Sequence, residues 1–285
     1  MLLKKGSRGD EVKRLQKLLN ITVDGVFGDD TEKAVKEYQL KNNLTVDGIV
    51  GNKTWNKLTN TSIIDTTKPF IENYFLKPNQ YLQGNYSKEY IITHHTASYD
   101  NPYSVIQNWD NTPERVATDF VIGGVNPLNG RNIYDGKILR AFPDGNSSYH
   151  IGASGSSYMN THSVGIELTN IGWIKDGRTY VNTKPQPQYI YHLDKPFRGY
   201  TEYQKYSDKQ LQSLKELLLY ISNRDNIDLH IGLYQWIKKE GARAFEFKEE
   251  AYKGKVKGLL THCNLRKDKS DCFPQQELLD MIMDL

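Results

Sequence analysis

Apolar positions along this 285-residue chain fall into two regimes. Up to residue 60 they come in short bursts at helical spacing: Val12, Leu15, Leu18 and Leu19, then Ala34, Val35, Tyr38 and Leu40, then Trp55 and Leu58. The bursts are separated by a near-repeat. Val23-Asp24-Gly25-Val26-Phe27-Gly28-Asp29-Asp30-Thr31 returns as Val46-Asp47-Gly48-Ile49-Val50-Gly51-Asn52-Lys53-Thr54. Asp-Gly makes a turn in each copy, and Asp30 or Thr31 can cap the helix that follows. The pattern predicts a small three-helix domain over residues 1–60. Residues 59–68 are small and polar around one Ile pair, and predict a linker whose connecting part is 61–68.

From residue 69 to 285 the pattern changes. Segments 90–96, 118–123, 163–168 and 259–262 are β-rich. The clearest helix spans 207–223, with Leu211, Leu214, Leu218 and Ile221 on one stripe and Ser207 as its N-cap. Residues 274–285 predict a closing helix with Pro274 in its first turn. The fold class expected is α/β: a mixed central β-sheet flanked by helices, plus the small N-terminal three-helix domain. Stretches 172–206 and 224–256 look longer than such a domain needs, and the first reads as an insertion near a cleft.

Alternation along the strands raises the question of chemistry. In 90–96, Ile92, His94 and Thr96 share one face, and Ile91, Thr93 and His95 the other. Only one of the paired histidines can face a given site, and alternation does not choose between them. In 163–168, Val164, Ile166 and Leu168 form the apolar face, which leaves Gly165 and Glu167 on the opposite one. His262 ends a third β-run, and Cys272 follows ten residues on. Two imidazoles and a thiolate would leave a zinc ion an open position for water, the mark of a catalytic zinc site. Glu167 could then handle the proton of that water. Cys263 and Cys272 are the two cysteines, so a disulfide framework is not expected, although one bridge between them is the plain alternative.

Composition narrows the partners. A formal charge of +3 is too small to argue for nucleic acid but is compatible with an anionic polymer. Nineteen tyrosines against nine phenylalanines suit carbohydrate or peptide clefts. No apolar run approaches the ~20 residues of a membrane helix, so no membrane insertion is expected. The opening stretch, Met1-Leu2-Leu3-Lys4-Lys5-Gly6-Ser7, lacks the apolar core of a secretory signal.

At this point two resemblances become specific. Gly6-Ser7-Arg8-Gly9-Asp10-Glu11-Val12, Leu15-Gln16, Asp24-Gly25-Val26-Phe27-Gly28, Thr31, Ala34-Val35 and Tyr38-Gln39 resemble the peptidoglycan-binding repeat domain found beside many bacterial and phage wall hydrolases. The remainder, 69–285, resembles the zinc N-acetylmuramoyl-L-alanine amidases of the type-2 amidase family, which share a fold with phage lysozyme-like amidases and peptidoglycan recognition proteins. The matching segments are 90–97, 117–123, Ile133-Tyr134, Tyr149-His150-Ile151-Gly152-Ala153, 160–168 and Thr261-His262.

The resemblance implies Zn2+ held by His94 rather than His95, by His262 and by a last ligand in Lys269-Ser270-Asp271-Cys272-Phe273-Pro274. Cys272 is favoured there because thiolate is the softer ligand; Asp271 is the alternative by its spacing from Lys269. It also implies Glu167 as catalytic acid–base, Lys269 stabilising the oxyanion and His150 binding substrate. Some relatives carry a catalytic tyrosine where this chain has Thr118, so that role is absent here or falls to Glu167. The expected activity cuts the amide between N-acetylmuramic acid and the L-alanine of the stem peptide. An endolysin made in the cytoplasm and reaching the wall through membrane lesions is the expected setting. A bacterial autolysin, a non-catalytic wall-binding protein, or a hydrolase cutting another stem-peptide amide are the alternatives.

Overall fold

The computed structural model describes residues 2–42, 44–58, 69–152 and 156–285. The expected linker at 61–68, and Ala153 of the fourth matching segment, lie outside the described residues. Contacts divide the chain into two compact units, Met1–Thr67 and Lys68–Leu285.

The first unit carries α1 (Asp10–Leu18), α2 (Asp29–Lys41) and α3 (Asn52–Leu58). Leu3, Val12, Leu15, Phe27, Val35, Val50 and Leu58 form its core. Two positions of the predicted stripes do not join it, since Leu18 and Leu40 are 39% and 70% exposed. Gln16 and Gln39 are buried instead. The reason is a hydrogen-bond knot made twice. The Gln16 side-chain amide donates to Asp24 Oδ1 (2.6 Å), Val26 O (3.0 Å) and Thr31 Oγ1 (3.1 Å), and its Oε1 accepts from Gly25 N (2.8 Å). Gln39 does the same with Asp47 (2.8 Å), Ile49 O (2.9 Å), Thr54 (3.1 Å) and Gly48 N (2.9 Å). Each knot ties the end of one helix to the Asp-Gly turn and the start of the next. Gly25 and Gly48 sit at φ +75° and +73°, where a side chain would be strained.

The second unit is built on a six-stranded sheet: β1 (Ile71–Asn73), β2 (Tyr90–His95), β3 (Phe120–Ile122), β4 (Ile138–Arg140), β5 (Ser163–Leu168) and, later in the chain, β10 (Gly258–Thr261). Their order is β1-β4-β3-β5-β2-β10, and every pair is parallel except β3 with β4. Buried on both faces, these strands read as near-continuous apolar runs. One face packs on α6 (Asp208–Asp225), α7 (Leu233–Glu240) and α10 (Gln276–Met283) through Ile91, Val164, Ile166, Leu168, Leu214 and Leu218, among others. The other face carries two separate apolar clusters. One packs Val121 and Leu139 on α4 (Pro102–Asp110). The other packs Tyr90, Ile92 and Leu260 with residues of α5 (Ser157–Thr161), α8 (Glu249–Tyr252) and α9 (His262–Leu265). Between the two clusters, β5 presents Ser163, Gly165 and Glu167, and the polar groups gather there.

The insertion at 172–206 is a second, antiparallel sheet of β6 (Trp173–Lys175), β7 (Arg178–Thr179), β8 (Ile190–Phe197) and β9 (Tyr200–Gln204), ordered β7-β6-β9-β8. It is anchored to the turn after β2: Tyr180 OH donates to Ala97 O (2.6 Å), and Tyr99 OH lies 3.0 Å from Thr183 Oγ1. Ser207 caps α6 as expected, accepting from Gln210 N. The closing helix begins at Gln276 rather than Pro274, because the Gln275 side chain turns inward to bond both the N–H and the C=O of Tyr206.

The knots carry a prediction. Gln39→Leu keeps the volume but leaves the Gly48 N–H and its neighbours without partners, which costs about 1–3 kcal/mol. Hydrogen exchange on the full chain should show the Gly48 and Ile49 amides losing protection while β2 and β5 keep theirs. Unchanged exchange at Gly48 would mean that the knot does not hold the turn.

Candidate metal centre

Strand register brings the site together. β5, β2 and β10 are neighbours in parallel, with Glu167 beside His94 and Thr261 beside Thr93. His262, one residue past Thr261, therefore follows on next to His94, and their ring centroids are 4.4 Å apart. A capping box fixes the turn there: Thr261 Oγ1 accepts from Asn264 N, and Asn264 Oδ1 accepts from Thr261 N. Asn264 is itself held by the carbonyls of Ala244 and Glu246. The chain then loops back, and Cys263 N bonds Asp271 O (3.2 Å), which delivers the Asp271 side chain to the histidines.

Asp271 Oδ2 lies 3.0 Å from His262 Nδ1 and 3.5 Å from His94 Nδ1. All three residues are buried, and one ligand-type atom from each falls within 4.8 Å of the others. His262 Nε2 and Glu167 Oε2 are buried without a hydrogen-bond partner among the described residues. Orphaned polar atoms of this kind are rare in a settled interior and call for an ion or water. Two imidazoles, one carboxylate and orphaned atoms beside them fit a divalent metal with an open coordination position.

Here the expectation of Cys272 in the cluster is corrected. With Asp271 facing the histidines, Cys272 turns into the core on the far face, where its thiol meets Tyr206 and Thr93. Burial, with Asp271 nearby, pushes that thiol above its usual range, so it stays protonated. Both cysteines are free thiols. His95 also faces away from the cluster and bonds Tyr206 OH (2.9 Å).

His150 is corrected as well. It is 6% exposed, with Nδ1 3.0 Å from His94 Nε2 and Nε2 2.7 Å from Ser163 Oγ. Neither ring nitrogen is left for a substrate. Its ring lies against β5 where Gly165 leaves room, since a Cβ there would come within 3.0 Å of it. Thr118, also packed on Gly165, spends its hydroxyl on Phe120 O (2.9 Å).

Electrostatics separate the two carboxylates. Burial raises the pKa of Asp271, but His262 and His94 outweigh it and hold the group well below the usual range. Burial, then the charge of Asp271, push Glu167 well above it. His94 is lowered to about 4, by burial and then by His262. Lys269, half-buried on the loop before Asp271, is close enough for its charge to act on both His94 and Glu167. The residue that sequence reasoning missed outright is Ser163. Its shared parity with Gly165 and Glu167 on β5 was the available signal.

A family model described as N-acetylmuramoyl-L-alanine amidase matches residues 84–265, and one described as a peptidoglycan binding domain matches residues 8–58. No curated protein matches the chain. A peptidoglycan-binding protein from Clostridioides difficile is 40% identical over 20% of this chain and 40% of its own length, with TM-score 0.20. The N-acetylmuramyl-L-alanine amidase AmiD from E. coli, solved with anhydro-N-acetylmuramic acid-L-Ala-D-gamma-Glu-L-Lys, is 24% identical over 52% of this chain and 48% of its own, with TM-score 0.33. The catalytic domain of XlyA is 15% identical over 74% of this chain and 92% of its own, with TM-score 0.41. This chain thus spans under half the length of the first two.

Metal analysis tests the geometry of the last ligand. Asp271→Asn should lose divalent metal by more than the ~10–100-fold that removal of a ligand's hydrogen-bonding neighbour costs. Cys272→Ser should retain it, with some loss of stability from a polar group placed in the core. The reverse pattern would make the thiolate the ligand.

Proposed function

The chain belongs to the N-acetylmuramoyl-L-alanine amidase family, and we propose that it is a zinc-dependent peptidoglycan hydrolase cutting the amide between the muramic acid lactyl group and L-alanine. The observation that carries this reading is the convergence of His94, His262 and Asp271 at the end of three parallel strands, with Glu167 in register beside His94. These three would hold the ion. When bound, zinc supplies Lewis-acid polarisation of the scissile carbonyl and acidifies a water in its open position.

The chain's own residues do the rest. Glu167 takes the proton of the attacking water and passes it to the leaving amine. Its setting suits this, because a carboxyl whose pKa is raised both accepts and returns a proton more readily. Lys269, whose charge reaches His94 and Glu167, stabilises the oxyanion. Thr118, bonded to the backbone, leaves proton transfer to Glu167. The N-terminal unit binds wall and raises the local concentration of bonds to cut. Among the described residues no helix is long and apolar enough to cross a membrane. The endolysin setting rests on the two-part sequence resemblance. Clearing of intact host cells by added protein plus a membrane-permeabilising agent tests it.

Mass spectrometry of digested wall checks the bond cut. Stem peptides with a free L-alanine amine should appear, with glycan strands left uncut. New reducing sugar ends, or a first cut elsewhere in the peptide, would overturn the assignment. Glu167→Gln keeps size and hydrogen-bonding reach but cannot take the proton, so turnover should fall by ~10²–10⁴-fold with metal retained. Near wild-type hydrolysis would move the proton acceptor elsewhere.

A further inference from the structure

We propose that His150 and Ser163 are positioning residues that lock His94 with its ring proton on Nε2, leaving the Nδ1 lone pair for the metal. This rests on the reading of His94, His262 and Asp271 as a metal centre.

The direction of each hydrogen bond follows from one fixed end. The carbonyl oxygen of Met159 can only accept, so the Ser163 hydroxyl, 2.5 Å away, donates to it. Ser163 Oγ must then accept from His150 Nε2, at 2.7 Å. A neutral His150 with its proton on Nε2 has only an acceptor at Nδ1. His94 Nε2, 3.0 Å from that Nδ1, is therefore the donor. The two ring nitrogens of His150 meet Ser163 Oγ and His94 Nε2, and neither of these partners is a carboxylate that would balance a second ring proton.

What remains on His94 is a bare Nδ1 aimed at Asp271 Oδ2, 3.5 Å away. A lone pair facing a carboxylate oxygen repels it unless a cation stands between them. The rival tautomer, with the proton on Nδ1, would donate to Asp271 and close the position. Only the acceptor behind the ring makes that tautomer unfavourable, since it would leave two lone pairs facing each other across 3.0 Å. The relay is rigid. Ser163 is fully buried on β5, Met159 belongs to α5, and the His150 ring rests on the bare backbone of Gly165. Partners of this type behind a metal-bound histidine fix its tautomer and orientation.

The test uses the full chain in two measurements. Histidine 15N NMR on metal-free protein should place the His94 proton on Nε2, and a proton on Nδ1 overturns the proposal. Competition with a chelator for Zn2+ then compares variants shown to be folded by circular dichroism. His150→Leu, which removes the acceptor, should weaken Zn2+ binding by ~10–100-fold. His150→Asn, which keeps a carbonyl oxygen near the place of Nδ1, should recover affinity to within about threefold of wild type, a rescue that a merely structural role would not give. Ser163→Ala, which frees the His150 ring to carry its proton on either nitrogen, should fall between. Leu and Asn variants that bind Zn2+ alike overturn the relay. Wild type that binds no Zn2+ would instead sink the metal reading itself. If the Leu variant does not fold, the 15N result on wild type still decides.

Discussion

The parallel pairing of β5, β2 and β10 is the constraint on which the second unit depends. Neighbouring strands lie ~4.8 Å apart, so residues in register on one face are held side by side without help from loops. That spacing sets Glu167 against His94 and carries the chain past Thr261 to place His262 on the other side. A one-residue slip of β5 would exchange its faces. Glu167 would enter the core formed with α6, and Val164 and Ile166 would leave it. The apolar face thus enforces the register, and the register assembles the polar site. The same alternation explains why the site lies in the gap between the α4 cluster and the cluster around Tyr90 and Ile92, where β5 presents Ser163, Gly165 and Glu167 and no apolar side chain.

Much of this was legible in the sequence, for a physical reason in each case. The parity of 163–168 placed Glu167 opposite Val164, Ile166 and Leu168, because strand alternation needs no tertiary information. The doubled Asp-Gly turn gave the three helices of the first unit. Its two glutamines were harder to see. Gln16 and Gln39 look like surface residues until both ends of the amide find partners across a turn, a long-range fact that a helical stripe does not record. Leu18 and Leu40 were drawn into the predicted stripes because periodicity counts apolar side chains and not the curvature of the core they face.

The loop at 269–272 failed for a related reason. Thiolate affinity for zinc is a property of the isolated group, whereas which of two adjacent side chains faces the histidines is set by how the loop docks back on Cys263. The bond from Cys263 N to Asp271 O decides that. Asp271 then meets the imidazoles, and Cys272 packs under Tyr206 and Phe273. The resemblance implied that His150 binds substrate. Its two bonds run inward because Gly165 opens a slot on β5 just wide enough for the ring.

Two carboxylates sit in this centre, Asp271 buried and Glu167 half-buried, and their surroundings push them apart. Taken alone, burial would raise both. Asp271 escapes because His262 and His94 flank it, so its charge is compensated and remains. Glu167 has no imidazole partner and feels the Asp271 charge at short range, so it is driven towards the protonated form. When two titrating groups diverge in this way, their chemical duties diverge with them. A carboxylate that stays ionised in a dry site is suited to holding a cation. One poised to gain and lose a proton is suited to acid–base work. A cation held by Asp271 would offset the charge that now disfavours ionisation of Glu167. The difference between the two acids thus follows from which of them the histidines reach: strand register sets Glu167 beside His94, and the loop bond to Cys263 brings Asp271 to both imidazoles.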